Sequence, residues 1–297
     1  MKPFYQVKPF YQACLGFLFL AAPVGLVARG PVPFEAQAKS VAKPSLKSLA
    51  QMSEVEIDVW LKSLKGKSFV QRIEAVSERA LGTPYVGGPL GEGPSAPYDK
   101  KPLINLKQVD CVTFCEQTLA LALSPTYKQA VQTLQKIRYD KGEIKMECRN
   151  HYFMADWIPH NAWLLTDISA RLPGATPLTR TISHKTFFAN QGFQGIQVRQ
   201  PDRTLTISYI PEDKLAQALP QLHSGDVGVL IQDLPGIFAA HTGLVIKKGD
   251  KLVLRNATSL SPLQVVDTPF EDLIASLKKS KRLIGMSFAR PHTQPKP

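Results

Sequence analysis

From residue 53 onward the apolar positions change spacing once, and that change divides the chain. Ser53-Glu54-Val55-Glu56 reads as a capping box, and Val55, Ile57, Trp60, Leu61 and Leu64 supply the apolar face of the helix it opens. A second helix is predicted over residues 68–81, stopped by Gly82. Residues 82–106 are rich in Gly and Pro and read as a long loop, a feature that is usually functional inside a compact domain. The next helix starts near Asp110 and is apolar nearly all round, so it should be buried. Further helices are predicted over residues 127–138 and 161–172, the latter ending at Pro173-Gly174. After about residue 195 the pattern becomes strand-like. Residues 204–210, 226–232, 241–247, 251–256, 263–267 and 283–289 are β-rich runs separated by turn signals such as Gly249-Asp250, with one helix over 268–278. Helices followed by a mostly antiparallel sheet define an α+β architecture, here a helical lobe over 53–194 and a β lobe over 195–290.

The ends of the chain read differently. Lys2 and Lys8 precede an apolar run over residues 13–28, and Ala36-Gln37-Ala38 fits a small-x-small cleavage pattern. The run is shorter than the ~20 residues a spanning helix needs and contains Gly16, Pro23 and Gly25. Residues 1–38 are therefore expected to be a removed signal peptide, followed by a linker over 39–52, with 291–297 as a tail. The mature protein would be periplasmic or held in the cell envelope, with no stable membrane span. Cys14 lies early in the run, which argues against a lipoprotein cysteine. The formal net charge is +12, and loss of Lys2, Lys8, Arg29 and Glu35 with the signal leaves +10. Such a surface is drawn to polyanions. For an exported protein, cell-wall polymers and membrane surfaces are nearer than nucleic acid. The basic residues are scattered, apart from Lys278, Lys279, Lys281 and Arg282 at an expected helix end, and no nucleic-acid module is present.

Cys111, Cys115 and Cys148 remain after cleavage, an odd number that leaves a free thiol in an oxidising compartment. A cysteine at a helix start has its thiolate stabilised by unpaired N–H groups and the helix dipole, and Cys111 stands at such a start. Cysteine is also a common buried residue, and Cys115, one turn further on, should lie beneath the first thiol. His241 opens a β-run, with Gly243 just after it. Lys251-Leu252-Val253-Leu254-Arg255-Asn256 forms the next strand and would bring Asn256 back beside His241, where it could fix the imidazole tautomer. A cysteine on a helix, a histidine on a strand and an asparagine on the next strand are the parts of a cysteine hydrolase.

Leu81-Gly82-Thr83-Pro84-Tyr85, Asp110-Cys111, Gly225-Asp226-Val227 and His241-Thr242-Gly243 occur in the order of NlpC-type cell-wall cysteine peptidases. Asp-Cys-Val-Thr-Phe, Arg149-Asn150-His151-Tyr152-Phe153 and Asp156-Trp157 make the chain resemble the N-acetylmuramoyl-L-alanine amidase-like branch of that superfamily. The resemblance implies a papain-like fold, with Cys111 as nucleophile, His241 as base, Asn256 as third member and Tyr85 beside the thiol. It implies peptidoglycan or muropeptide fragments as substrate and no cofactor or metal. The NlpC pattern has Asp-Cys-Ser-Gly where this chain has Asp-Cys-Val-Thr, and the gap from Tyr85 to Cys111 is longer. Both departures favour a cut between muramic acid and L-alanine over an endopeptidase cut beside D-glutamate. Arg149, His151, Tyr152, Asp156 and Trp157 could line a cleft for an acidic, sugar-bearing peptide or form a structural turn. His160, His184 and His223 read as ordinary surface or structural residues. The competing non-enzymatic readings are a zinc site built from Cys111, Cys115, Cys148 and His151, and a wall-binding module.

Overall fold

A computed structural model describes residues 47–295, so the expected signal and most of the expected linker lie outside the described residues. What remains of that linker packs on the core, for Leu49 in the short turn Leu49–Gln51 is 4% exposed. α1 (Glu54–Ser63) and α2 (Phe69–Arg79) start at Ser53 and Ser68, each in a capping box with the residue three on, Glu56 and Gln71. The apolar face of α1 is narrower than expected. Ile57, Leu61 and Leu64 are buried, while Val55, two positions before Ile57 and so on the opposite side of the helix, is 73% exposed. α3 (Cys111–Leu123) is buried nearly all round, and α4 (Tyr127–Arg138) packs alongside it.

No helix spans residues 161–172. A π-helical turn, Phe153–Trp157, runs directly into Ile158–His160 and stops at Asn161, whose side-chain amide donates to the carbonyls of Trp157 and Ile137. Strand β1 (Leu165–Asp167) follows and pairs with the last strand, so tertiary pairing overrides the local helical pattern. β2 (Thr176–Ile182) also precedes residue 195, and the sheet therefore begins earlier than the change of pattern suggested.

The remaining strands are β3 (Arg203–Pro211), β4 (Val227–Leu234), β5 (Ile237–Lys248), β6 (Lys251–Ala257), β7 (Val265–Pro269) and β8 (Leu283–Pro291). They form one eight-stranded sheet in the order β2-β3-β8-β4-β5-β6-β7, with β1 added on β8 and every pairing antiparallel. Its centre is covered on both faces. Val227, Val229, Ile231, Leu244 and Ile246 join the core beneath α2, α3 and α4. Leu230, Val245, Leu254, Met286 and Phe288 join a second core beneath the helix Phe270–Lys279. Two-sided burial explains why β4 reads as a continuous apolar run rather than an alternating one. α3 lies on β5 and β6, and this contact brings the start of the helix to the strand that carries His241.

Candidate active site

Asp110 fixes the start of α3. Its Oδ1 accepts from the Thr113 N–H at 2.7 Å and from the Thr113 hydroxyl at 2.8 Å. Its Oδ2 accepts from the Gly88 N–H at 3.0 Å, which ties the Gly/Pro-rich loop to the helix end. Burial raises this carboxyl above its usual range. Cys111 is the first helical residue and is buried. Here the expectation of a helix-stabilised thiolate needs correcting. Burial, with the Asp110 charge added, pushes the thiol up to about 12, against opposing hydrogen bonds from the Thr242, Val112 and Cys111 backbone. Desolvation outweighs the helix end, and the resting group is a thiol. Cys115 lies one turn below and is fully buried.

β5 and β6 form the expected hairpin. His241 Nε2 stands 2.9 Å from Asn256 Oδ1. The Asn256 amide nitrogen donates to the Leu254 carbonyl at 3.0 Å and to Thr268 Oγ1 at 3.1 Å, so its oxygen must face the imidazole. His241 Nε2 then carries the proton and Nδ1 is left as a base. Gly243 lets the strands close around this pair, because a Cβ there would lie 2.7 Å from the Arg255 carbonyl oxygen and 2.8 Å from Asn256 Cβ.

Cys111 and His241 line one cavity of about 280 Å³. Phe153, Phe187, Phe193 and Phe238 supply apolar and aromatic wall, and Asp99, Lys101, Glu116, Arg138 and Arg149 supply charge. Arg149, His151 and Tyr152 are in this wall, whereas Tyr85, Asp156 and Trp157 are not. Tyr85 is bridged by its backbone to Val109, two residues ahead of Cys111. Arg149 pairs with Glu92 and, at 3.1 Å, with Asp99. His151 bonds the Met146 carbonyl at 2.8 Å, and burial lowers it to about 3, so it is neutral. Tyr152 donates its hydroxyl to the Ser183 carbonyl. Asp156 acts behind the wall by accepting from the Tyr152 N–H, His184 Nε2 and Arg203. His184 is therefore a buried structural partner of Asp156. Trp157 stacks on Phe153 with centroids 4.4 Å apart and donates its Nε1–H to Glu116 at 3.0 Å.

Glu116, Arg138, Glu92 and Gln232 escaped the sequence reading. The one available signal was Glu116, an acid in an otherwise apolar helix. Burial lifts it to about 7 even though Arg138 stands 3.6 Å away. Unfolded, this carboxyl ionises near 4.5. Between those values the folded chain holds a proton that the unfolded chain has lost, so stability falls as pH rises across the window. Urea titrations should show the wild type losing up to about 3 kcal/mol relative to Glu116→Gln between those two pH values. A difference independent of pH would contradict the assignment.

The cysteines do not converge with His151 on a metal. Among the described residues no group of three or more His, Cys, Asp or Glu side chains is placed to hold one. Cys148 is 3.7 Å from Glu143 and lines a separate polar cavity of about 120 Å³, and His151 Nε2 is engaged by Met146. All three described cysteines are free.

Residues 75–281 match the AmiA-like family, described as N-acetylmuramoyl-L-alanine amidase-like, and the chain belongs to that family. An N-acetylmuramoyl-L-alanine amidase from Bacteroides uniformis shares the fold with a TM-score of 0.63 at 28% identity, over 75% of this chain and 98% of its own. A Legionella pneumophila protein is similar in fold alone, with a TM-score of 0.73 at 24% identity over 82% of this chain and 95% of its own. A Bacteroides fragilis protein to which a xylanase function has been ascribed gives a TM-score of 0.58 at 28% identity, over 72% of this chain and 98% of its own. Among curated proteins none matches this chain. The fold is a mixed α+β one with an antiparallel sheet, shared with these neighbours, and the family is one of amidase-like hydrolases.

Proposed function

We infer that this protein is a cysteine-dependent amidase of the papain-like, NlpC-type class, cutting the bond between N-acetylmuramic acid and L-alanine in peptidoglycan or its fragments. The observation that carries the reading is the single cavity shared by Cys111 and His241, with Asn256 holding the far nitrogen of that histidine. Family membership supplies the substrate class. A wall substrate agrees with the signal-like residues 1–38, and among the described residues no helix is long and apolar enough to cross a membrane.

The chemistry follows from the resting proton positions. Cys111 begins as a thiol, so its proton passes to His241 Nδ1 as sulfur attacks the lactyl carbonyl carbon. The oxyanion meets the Cys111 backbone N–H, one of the first-turn N–H groups that have no carbonyl partner within α3. The imidazolium then protonates the leaving nitrogen, releasing the L-alanine amine and a thioester on Cys111. Water, deprotonated by His241, hydrolyses the thioester and restores the thiol. Arg149, His151 and Tyr152 are assigned to the substrate wall, Asp110 to anchoring the helix end, and Asp156 and Trp157 to bracing the wall from behind. The cavity is poorly arranged for glycoside cleavage, which uses two carboxyl groups across a bond. Asp99 is committed to Arg149, and Glu116 to Arg138 and Trp157.

Mass spectrometry of one defined muropeptide after digestion tests the reading. The expected products are a muramic sugar with a free lactyl carboxylate and an intact peptide beginning with L-alanine, with turnover lost on thiol alkylation. A sugar that keeps its first residues would transfer the cut to the stem peptide, beside D-glutamate. Turnover that survives complete alkylation of Cys111 would end the cysteine mechanism.

A further inference from the structure

Thr242 follows His241 and has no part in the assignment above, yet it is 1% exposed and bonded on three sides. Its hydroxyl donates to the Gly228 carbonyl of β4 at 2.9 Å. The same side chain acts on the Cys115 thiol, one turn below Cys111 on α3, and the Thr242 backbone acts on the Cys111 thiol, each as a hydrogen-bonding neighbour that counters the rise burial imposes. Thr242 and Cys111 line the same cavity.

The ladder explains why that N–H is available. Positions along an antiparallel strand turn their N–H groups alternately to one neighbour and the other. The Val245 N–H goes to the Asp226 carbonyl on the β4 side. The register from Val227↔Leu244 to Val229↔Thr242 is unbroken, so Leu244 and Thr242 turn theirs toward β6. Pairing with β6 begins only at Leu244↔Arg255. At Thr242 the place of the missing strand acceptor is taken by Cys111 Sγ.

The geometry points to Thr242 as a positioning residue for the reacting sulfur: its N–H is a fixed donor to Cys111, and its hydroxyl, held by Gly228 and Cys115, keeps that donor aligned between β4, β5 and α3. The inference rests on the reading of Cys111 as nucleophile. When the thiol proton leaves, the sulfur becomes an anion, and a hydrogen bond already in place strengthens without reorganisation. Of the two bonds to the hydroxyl, the one to Gly228 is the stronger anchor, since a thiol is a weak donor.

Thr242→Val keeps the volume and the N–H but removes the hydroxyl, whereas Thr242→Ser keeps the hydroxyl. Three readouts separate alignment from packing: the rate at which iodoacetamide alkylates Cys111 at fixed pH, kcat and KM on a defined muropeptide, and thermal melting. Thr242→Val should alkylate about tenfold more slowly and lose about tenfold in kcat with KM little changed, while Thr242→Ser stays near wild type. Wild-type alkylation and kcat in Thr242→Val, whatever its melting temperature, would reduce Thr242 to a packing residue and overturn the inference. If Thr242→Val does not fold, Thr242→Ala is read by the same two rates with the same expectations. Alkylation needs no substrate, so the inference can fail while the amidase reading stands, and the amidase reading can fail on product analysis while the alkylation result stands.

Discussion

Cys111→Ala and His241→Ala are each expected to lose at least about a thousandfold in turnover on a defined muropeptide, with circular dichroism and melting close to wild type. In the proposed mechanism the two act as a unit, so either loss would remove nearly everything. Without sulfur no acyl-enzyme could form. Without imidazole, a thiol held at about 12 has no route to its reactive form and the leaving amine has no acid. Asn256 fixes only the tautomer and orientation of His241, so Asn256→Ala should lose less, about 10–100-fold. Steady-state rates for the three variants decide the matter. A Cys111→Ala protein turning over near the wild-type rate would end the cysteine reading altogether.

The parts of this site legible in the sequence were those that short-range pattern controls. The Ser53 and Ser68 caps, the Asp110 start of α3 and the β5–β6 hairpin with Asn256 beside His241 all follow from local spacing. What spacing could not give was set by distant partners. β1 and its neighbouring turn replaced an expected helix because Leu165 pairs with Pro291, far along the chain. Asp156 and His184 meet across 28 positions, and Trp157 reaches Glu116 across 41, so no window of sequence could join them. The thiol itself shows the same limit. A helix end favours an anion, but how deeply that end is covered is a property of the packed molecule.

Gly243→Ala is the second large effect. The Cβ it adds would sit 2.7 Å from the Arg255 carbonyl oxygen and 2.9 Å from Leu254 Cγ. The first obstacle is backbone in a paired strand, so β5 and β6 must part. Overpacking of this kind costs about 1–3 kcal/mol. The displaced part is the segment holding His241 against Asn256, and a shift of about 1 Å there should cost roughly 100-fold in kcat. Melting and kcat should therefore fall together, in contrast to the Cys111 and His241 variants, where only kcat falls. Near-normal activity in Gly243→Ala would show that the hairpin has slack the packing does not suggest.

Coverage of Cys111 has a consequence for how long its thiol lasts. A thiolate attacks peroxide and exchanges with disulfides, and susceptibility follows ionisation and access. Burial pushes the Cys111 thiol well above its usual range, so little of it is ionised at neutral pH, and the group is 4% exposed. A sulfur kept in this condition is a poor target for stray oxidants and ages slowly. Under the proposed mechanism it would be armed only while a substrate in the cavity draws its proton toward His241, so the lifetime of the catalyst and the specificity of its reaction would depend on the same buried position.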